Sequence, residues 1–426
     1  MIDDFKPVTR PAKSLRNALN ERTGVAANTN IDSESFKTPE EVAAAQALEA
    51  PVDVVGELAP ALVTDAPQPS RFAMLAMHWP FGKKEWLTLA AVIILLGGGT
   101  AGWLLTRHST PVASTKPKVV VVKKPVVVVP TTVPSALTGL PVAPSVNSGP
   151  VTGVMIENSD EARPQSGLNS AGVVFEAIAE GGITRFLALF QDTTPDNVGP
   201  IRSARPYYEQ WALGFDAGYA HVGGSPEALA DLKTWGVRDL DQFYNGGSYH
   251  RVSNRAAPHN VYTAIATLNQ LETKKGYTSS SFTSFPRKPA APAKLPTAKT
   301  INLTLSGPDF NVVYQYDPAT NSYLRNEAGA PQIDANTSTQ LSPKVVIALV
   351  MPYSIEADGY HSSYTTIGSG PVYVFQDGLV TVGQWAKSSN ASQFIFTDSS
   401  GAVIALNPGQ TWLTAIAKTA NVASTP

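Results

Sequence analysis

Between residues 199 and 229 the chain reads GPIRSARPYYEQWALGFDAGYAHVGGSPEAL. Pro206 suits the first position of a helix and pushes the preceding Arg205 out of helical dihedrals, so Arg202, Ser203 and Arg205 sit at or just before a helix N-terminus. Free N–H groups and the positive end of a helix dipole meet two guanidinium groups there, a combination that favours phosphate or carboxylate. The same device recurs in AHVGGSPEAL. Gly223 and Gly224 allow close backbone approach, Ser225 is placed as an N-cap, and Pro226 opens the helix. The spaced glycines and the Lys–Ser/Thr ending of a phosphate-binding P-loop are missing. If both helix starts open on one edge of a sheet, they define a receptor for negative charge. The bland alternative is two structural caps.

A second group lies in FEAIAEGGITRFLAL. With Gly181 and Gly182 as a two-residue hairpin turn, Glu180 pairs with Ile183 and Ile178 with Arg185. Glu176, Glu180 and Arg185 then share one face, either as an internal ion pair or as the lining of a pocket. YHRVSNRAAPHNVYT adds His250, Arg251, Arg255, His259 and Asn260. The spacing of His221, His250 and His259 fits no zinc motif, so no metal site is expected. No GxSxG is present, and Ser203 and Ser225 read as capping residues, which disfavours serine nucleophiles. Glu176 with His221 or His259 remains a candidate acid–base set. No cofactor motif emerges.

The elements that must carry these residues are readable from hydrophobic period. Strands are expected near 151–157, in AGVVFEAIAE, in ITRFLALFQ and in AGYAHV. Helices are expected in RPYYEQWALGF, SPEALADLKTWG and VYTAIATLNQLETKK. After the low-complexity break SSSFTSFPRKPAAPAKLPTAKT the signal is nearly all strand, from FNVVYQYD to TWLTAIAK, with hairpin turns at QDG and DSSG. The expected fold is α+β or α/β, with a mixed sheet and helices in the first part and a small β-rich second domain.

Upstream, Trp86 to Leu105 is a charge-free run of about twenty residues, long enough to cross a hydrocarbon layer of roughly 30 Å. A single transmembrane helix is therefore expected on the N-terminal side, and the eighty or so residues before it argue against a cleaved signal peptide. Lysines and arginines flank it almost evenly, so charge alone leaves orientation open. An N-terminus inside is favoured because Lys83 and Lys84 adjoin the helix and a stalk-like segment follows it. The organisation read from the chain is a disordered acidic tail at 1–70, the span at 86–105 and a Pro/Val/Thr-rich stalk at 106–147. An α/β domain at 148–280, a linker at 281–299 and a β-rich domain at 300–423 complete it. The chain has 426 residues, a formal net charge of −2 and no cysteine. Near-neutral charge argues against a nucleic-acid partner, and the missing cysteine removes disulfides, thiolate chemistry and cysteine-linked lipid.

VMIENSDEARPQSGLNSAGVVFEAIAEGGITRFLALFQ, VGPIRSARPYYEQWA, HVGGSPEAL and PHNVYT, followed by YLRNEAG, KVVIALV, GPVYVFQDGLVTVGQWAK and GQTWLTAIA, together resemble the YerB-like family of bacterial putative lipoproteins. The likeness covers most of residues 148–420. It implies a membrane-anchored, extracytoplasmic envelope protein and brings no reaction or catalytic residues with it. Members of that family typically carry lipid on an N-terminal cysteine, which this chain lacks.

Three functional expectations follow. In the first, the outer region binds an anionic ligand (wall polymer, peptide carboxylate or lipid-linked phosphate) through Arg202, Ser203, Arg205, Gly223, Gly224 and Ser225. His221, His259, Asn260, Glu176 and Arg185 would line the same cleft. The second is a hydrolase or transferase acting on wall material through Glu176 and a histidine. The third is a structural envelope protein whose arginines all sit in internal ion pairs. The expected location is a bacterial cell membrane, single-pass, with the N-terminus cytoplasmic.

Overall fold

Three apolar runs near the start of the described chain form β1 (Thr152–Glu157), β2 (Val173–Glu180) and β3 (Ile183–Phe190). They are buried along almost their whole length, as strands covered on both faces must be. The protein is represented by a computed structural model that describes residues 131–426. Gly181 and Gly182 turn β2 into β3 with φ of 56° and 83°, the left-handed pair that a two-residue hairpin requires. Glu180 pairs with Ile183 as the turn predicts, but a bulge between Ile178 and Glu180 sets Ala177, not Ile178, opposite Arg185.

Next come α1 (Pro206–Leu213), β4 (Gly218–Ala220), α2 (Pro226–Thr234) and β5 (Arg238–Asp239). Then β6 (His250–Arg251) pairs with β7 (Val261–Tyr262), so α3 (Ile265–Lys274) begins later than hydrophobic period alone suggests. The C-terminal half contributes β8 (Thr300–Leu303), β9 (Val312–Asp317), β10 (Ser322–Glu327), β11 (Ala330–Pro331) and β12 (Val345–Val350). It continues with β13 (Tyr353–Ile355), β14 (Ser362–Tyr364), β15 (Gly368–Gln376) and β16 (Leu379–Lys387). β17 (Ile395–Asp398), β18 (Thr411–Ile416) and β19 (Val422–Thr425) close the chain.

These elements overturn the expected fold class. Strands dominate, and the α-helices of the described residues are only three, of eight, nine and ten residues. One ten-stranded sheet runs through both halves in the order β17-β16-β15-β12-β18-β2-β3-β1-β4-β5, in place of a mixed sheet with helices followed by a separate small β-rich domain. The halves join where β18 lies parallel to β2, with Thr411 opposite Val173 and Thr414 opposite Glu176. Sequence order hid this because strands more than two hundred residues apart pair in the middle of the sheet. A five-stranded sheet, β11-β10-β9-β8-β19, is also present. Among the described residues no helix is long and apolar enough to cross a membrane. The expected tail, the span at 86–105 and the first part of the expected stalk lie outside the described residues. Leu137, at the far end of that stalk, is 1% exposed and belongs to the core.

Alternation along the central strands splits the core in two. Val173, Phe175, Ile347 and Leu413 face Tyr207, Trp211 and Leu232 of α1 and α2 on one side. Val174 and Trp412 meet Leu268 of α3 on the other, where Val346 and Ile416 also pack against Leu303, Tyr314 and Tyr323 of the smaller sheet.

Candidate functional site

The predicted site residues fall into three places. Glu176 lies on the sheet face that meets the smaller sheet. Its carboxylate is fully buried and bidentate with Arg325 of β10, at 2.8 Å and 3.0 Å. Trp412 Nε1 donates to the same carboxylate at 3.1 Å and Thr414 at 3.3 Å. The Arg325 guanidinium stacks over Trp412, 4.5 Å from the ring centre. No solvent reaches this pair, and it has no free proton-accepting edge.

The second place gathers the two helix starts. A backbone bridge between Ala204 and Gly224 sets them side by side, and Ala204 N–H donates to the Gly223 carbonyl at 2.9 Å. The groups expected to bind an anion are, however, engaged internally. Arg205 donates to Glu180 Oε2 at 2.6 Å and to the Ala204 carbonyl at 2.6 Å, and Arg185 reaches Glu180 Oε1 and the Ser203 carbonyl. Burial opposes ionisation of Glu180, but Arg185 and Arg205 outweigh it and hold its carboxyl below the usual range. Arg205 is itself lowered, first by burial and then by the like charge of Arg185. Arg205, not Ser203, is the N-cap of α1, and its side chain makes no cap hydrogen bond. Ser225 Oγ caps α2 by accepting from Ala228 N–H at 3.3 Å. Gly223 N–H donates to the buried Asp241 at 3.0 Å. His221 is wholly buried between the Gly223 carbonyl at 2.8 Å and Asp239 Oδ1 at 3.1 Å.

The third place is open. Glu161, Asn254, Arg255, Ala256 and His259 line a cavity of about 390 Å³. His259 Nδ1 lies 2.9 Å from Oε1 of Glu157, the last residue of β1, and the Ser159 hydroxyl donates to the same oxygen at 3.1 Å. Arg202 approaches it from behind, with Nε at 3.4 Å. Arg255 is pinned by the backbone carbonyls of Glu161 and Pro164. Asn260 shapes the loop, accepting from Arg251 at 2.6 Å and donating towards the Arg255 carbonyl at 3.4 Å. At the rim the Glu161 carboxyl is held below its ordinary range, chiefly by its own backbone N–H. Sequence reasoning reached Arg202, His259 and Asn260 but missed Glu157, Ser159 and Glu161. The available signal was an acid closing the apolar run of VMIE, followed at once by the turn NSDE.

For metal ions, the described residues bring Glu356, Asp358 and His361 within 4.8 Å of one another on the β13–β14 hairpin. Asp358 and His361 already bond each other at 2.5 Å.

Two family models match the chain. The N-terminal domain described as a protein of unknown function, DUF3048, covers residues 137–278, and its C-terminal counterpart covers 301–413. A Bacillus subtilis protein named Putative lipoprotein YerB is 31% identical over 282 residues, which is 65% of this chain and 84% of that protein. The crystal structure of the YerB protein from Bacillus subtilis superposes with a TM-score of 0.63 at 27% identity, covering 68% of this chain and 99% of the other.

Proposed function

We propose, from the premise that the chain belongs to the two-part YerB-like family (DUF3048), that it is a membrane-anchored, extracytoplasmic envelope protein. In this reading it holds an anionic group, carboxylate or phosphate, in the cavity between Arg255 and His259. The placement at the envelope is supported by the name of the Bacillus relative. The anion reading is carried by one observation: Arg255 is fixed by backbone carbonyls at the mouth of an open cavity, with no carboxylate ion pair among the described residues. Behind it, Arg202 and Glu157 offset each other. Among the residues that line the cavity Glu161 carries the only carboxylate, while the imidazole is paired with Glu157 behind it; a planar guanidinium suits a two-oxygen anion. Arg185, Arg205, Arg325 and their glutamates serve the fold in this reading, because each is buried against a partner.

The test is titration of the full chain with inorganic phosphate and with acetate, followed by calorimetry and thermal shift. Arg255→Ala should abolish protection by at least one of these anions, and Arg255→Lys should weaken it by about tenfold because bidentate geometry is lost. Glu161→Gln should strengthen binding about threefold by removing the opposing charge. Equal binding by wild type and Arg255→Ala would remove the reading.

A further inference from the structure

We propose that Glu157 and His259 make this cavity a hydrolytic site for carboxylic esters, with His259 as the catalytic base and Glu157 as its positioning residue. The inference rests on the anion reading above, because what Arg255 would hold is an oxyanion and then a carboxylate.

The imidazole is oriented from one side only. At 2.9 Å from a carboxylate oxygen, a neutral ring carries its proton on Nδ1, which leaves the lone pair on Nε2. The Glu157 side chain is 5% exposed while that of His259 is 22% exposed and lines the cavity, so the carboxylate is the buried anchor and the ring the accessible end. Oε2 of Glu157 is buried without a hydrogen-bond partner, so the interactions of this carboxylate run through Oε1, the atom that holds the ring, Ser159 and Arg202. Ser159 is not the nucleophile. Its hydroxyl lies 3.4 Å from Nδ1, the nitrogen that already bears the proton, and donates to Glu157 instead. The attacking group is therefore water.

In the reaction His259 Nε2 accepts a proton from that water as its oxygen bonds to the ester carbonyl carbon. The carbonyl π pair moves onto oxygen, and the resulting oxyanion meets the Arg255 N–H donors. Glu157 stabilises the imidazolium without taking its proton. On collapse the carbon–oxygen bond to the alcohol breaks and the imidazolium returns its proton to the departing oxygen. One water adds across the bond, an acid and an alcohol leave, and nothing is oxidised or reduced. Carbon rather than phosphorus is favoured because one imidazole lines the cavity. Attacking and departing oxygens share one side of a tetrahedral carbon but occupy opposite ends of an in-line phosphorus displacement. The charged groups around the ring are Glu157 and Arg202 behind it and Glu161 and Arg255 across the cavity.

The test is release of nitrophenolate from para-nitrophenyl acetate by the full chain, alongside thermal protection by acetate. Wild type should show saturable turnover. His259→Gln and, independently, His259→Asn should lower kcat by at least about 100-fold. Glu157→Gln should lower kcat by at least about tenfold with KM unchanged, and Glu157→Asp should recover part of that loss. A purely structural Glu157 would lower the folded fraction and leave the kcat of the folded protein in place. Undiminished turnover in both His259 variants, or no saturable turnover in wild type that binds acetate, overturns the catalytic inference and leaves the anion reading standing. Turnover without anion binding would do the reverse.

Discussion

Glu209 lies on α1 with both carboxylate oxygens buried and without a hydrogen-bond partner. Burial, and after it the negative charges of Asp231, Asp239 and Glu227, push its carboxyl up to about 9. A carboxyl raised in the folded state binds a proton that the unfolded chain has released. Its contribution is therefore intact below the unfolded value of 4.5 and declines as pH rises towards 9. Glu209→Gln should accordingly raise stability at pH 8 by about 2–4 kcal/mol and flatten the pH dependence between the two values, measured by denaturant titration. Glu180 behaves oppositely. Its carboxyl is lowered by Arg185 and Arg205 against burial, so its contribution is present above the ordinary carboxylate range and lost as pH falls through its lowered value. Two glutamates of one neighbourhood thus titrate in opposite directions, and the difference is whether an arginine is hydrogen-bonded to the carboxylate.

At the scale of elements, the bidentate Glu176–Arg325 pair ties the smaller sheet to the centre of the larger one. Removing one member strands a buried charge, so Glu176→Met or Arg325→Met should each cost about 3–5 kcal/mol, whereas the two substitutions together should cost far less. Chemical denaturation of the three variants checks this as a double-mutant cycle. A second joint is tighter still. Gly218 in β4 lies so close to the buried Glu272 side chain of α3 that a Cβ there would sit 1.9 Å from Glu272 Oε1. Gly218→Ala should lower stability by about 1–3 kcal/mol as the buried Glu272 carboxylate is displaced from its hydrogen bond with Thr152. Neither joint touches the Arg255 cavity, so anion binding by the folded fraction should survive both.

Across the whole molecule, the described residues belong to one compact unit, and the shared ten-stranded sheet says why. Cutting the chain after residue 299 would remove β18 from beside β2 and expose the apolar edge of a central strand, an aggregation template. The expected result is a single cooperative thermal transition for the whole protein and an insoluble product from the truncated one. Two separable transitions would contradict this.

How much of this was readable in the residues differs by element. The Gly181–Gly182 turn, the Ser225 cap and α2 follow from local rules and lie where those rules put them. The bulge at Ile178–Glu180 and the late start of α3 do not, because each depends on a partner strand elsewhere in the chain. The same division runs through the site. Sequence alone determined that Arg202, Arg205 and His259 carry charge or proton chemistry and that two helices begin near them. Only three-dimensional packing settled which of these residues retain access to solvent, because a guanidinium is available to a ligand only where no carboxylate has been folded against it. Glu180 was folded against Arg205, and Arg325 against Glu176. Arg255 met backbone carbonyls instead, and the cavity beside it stayed open.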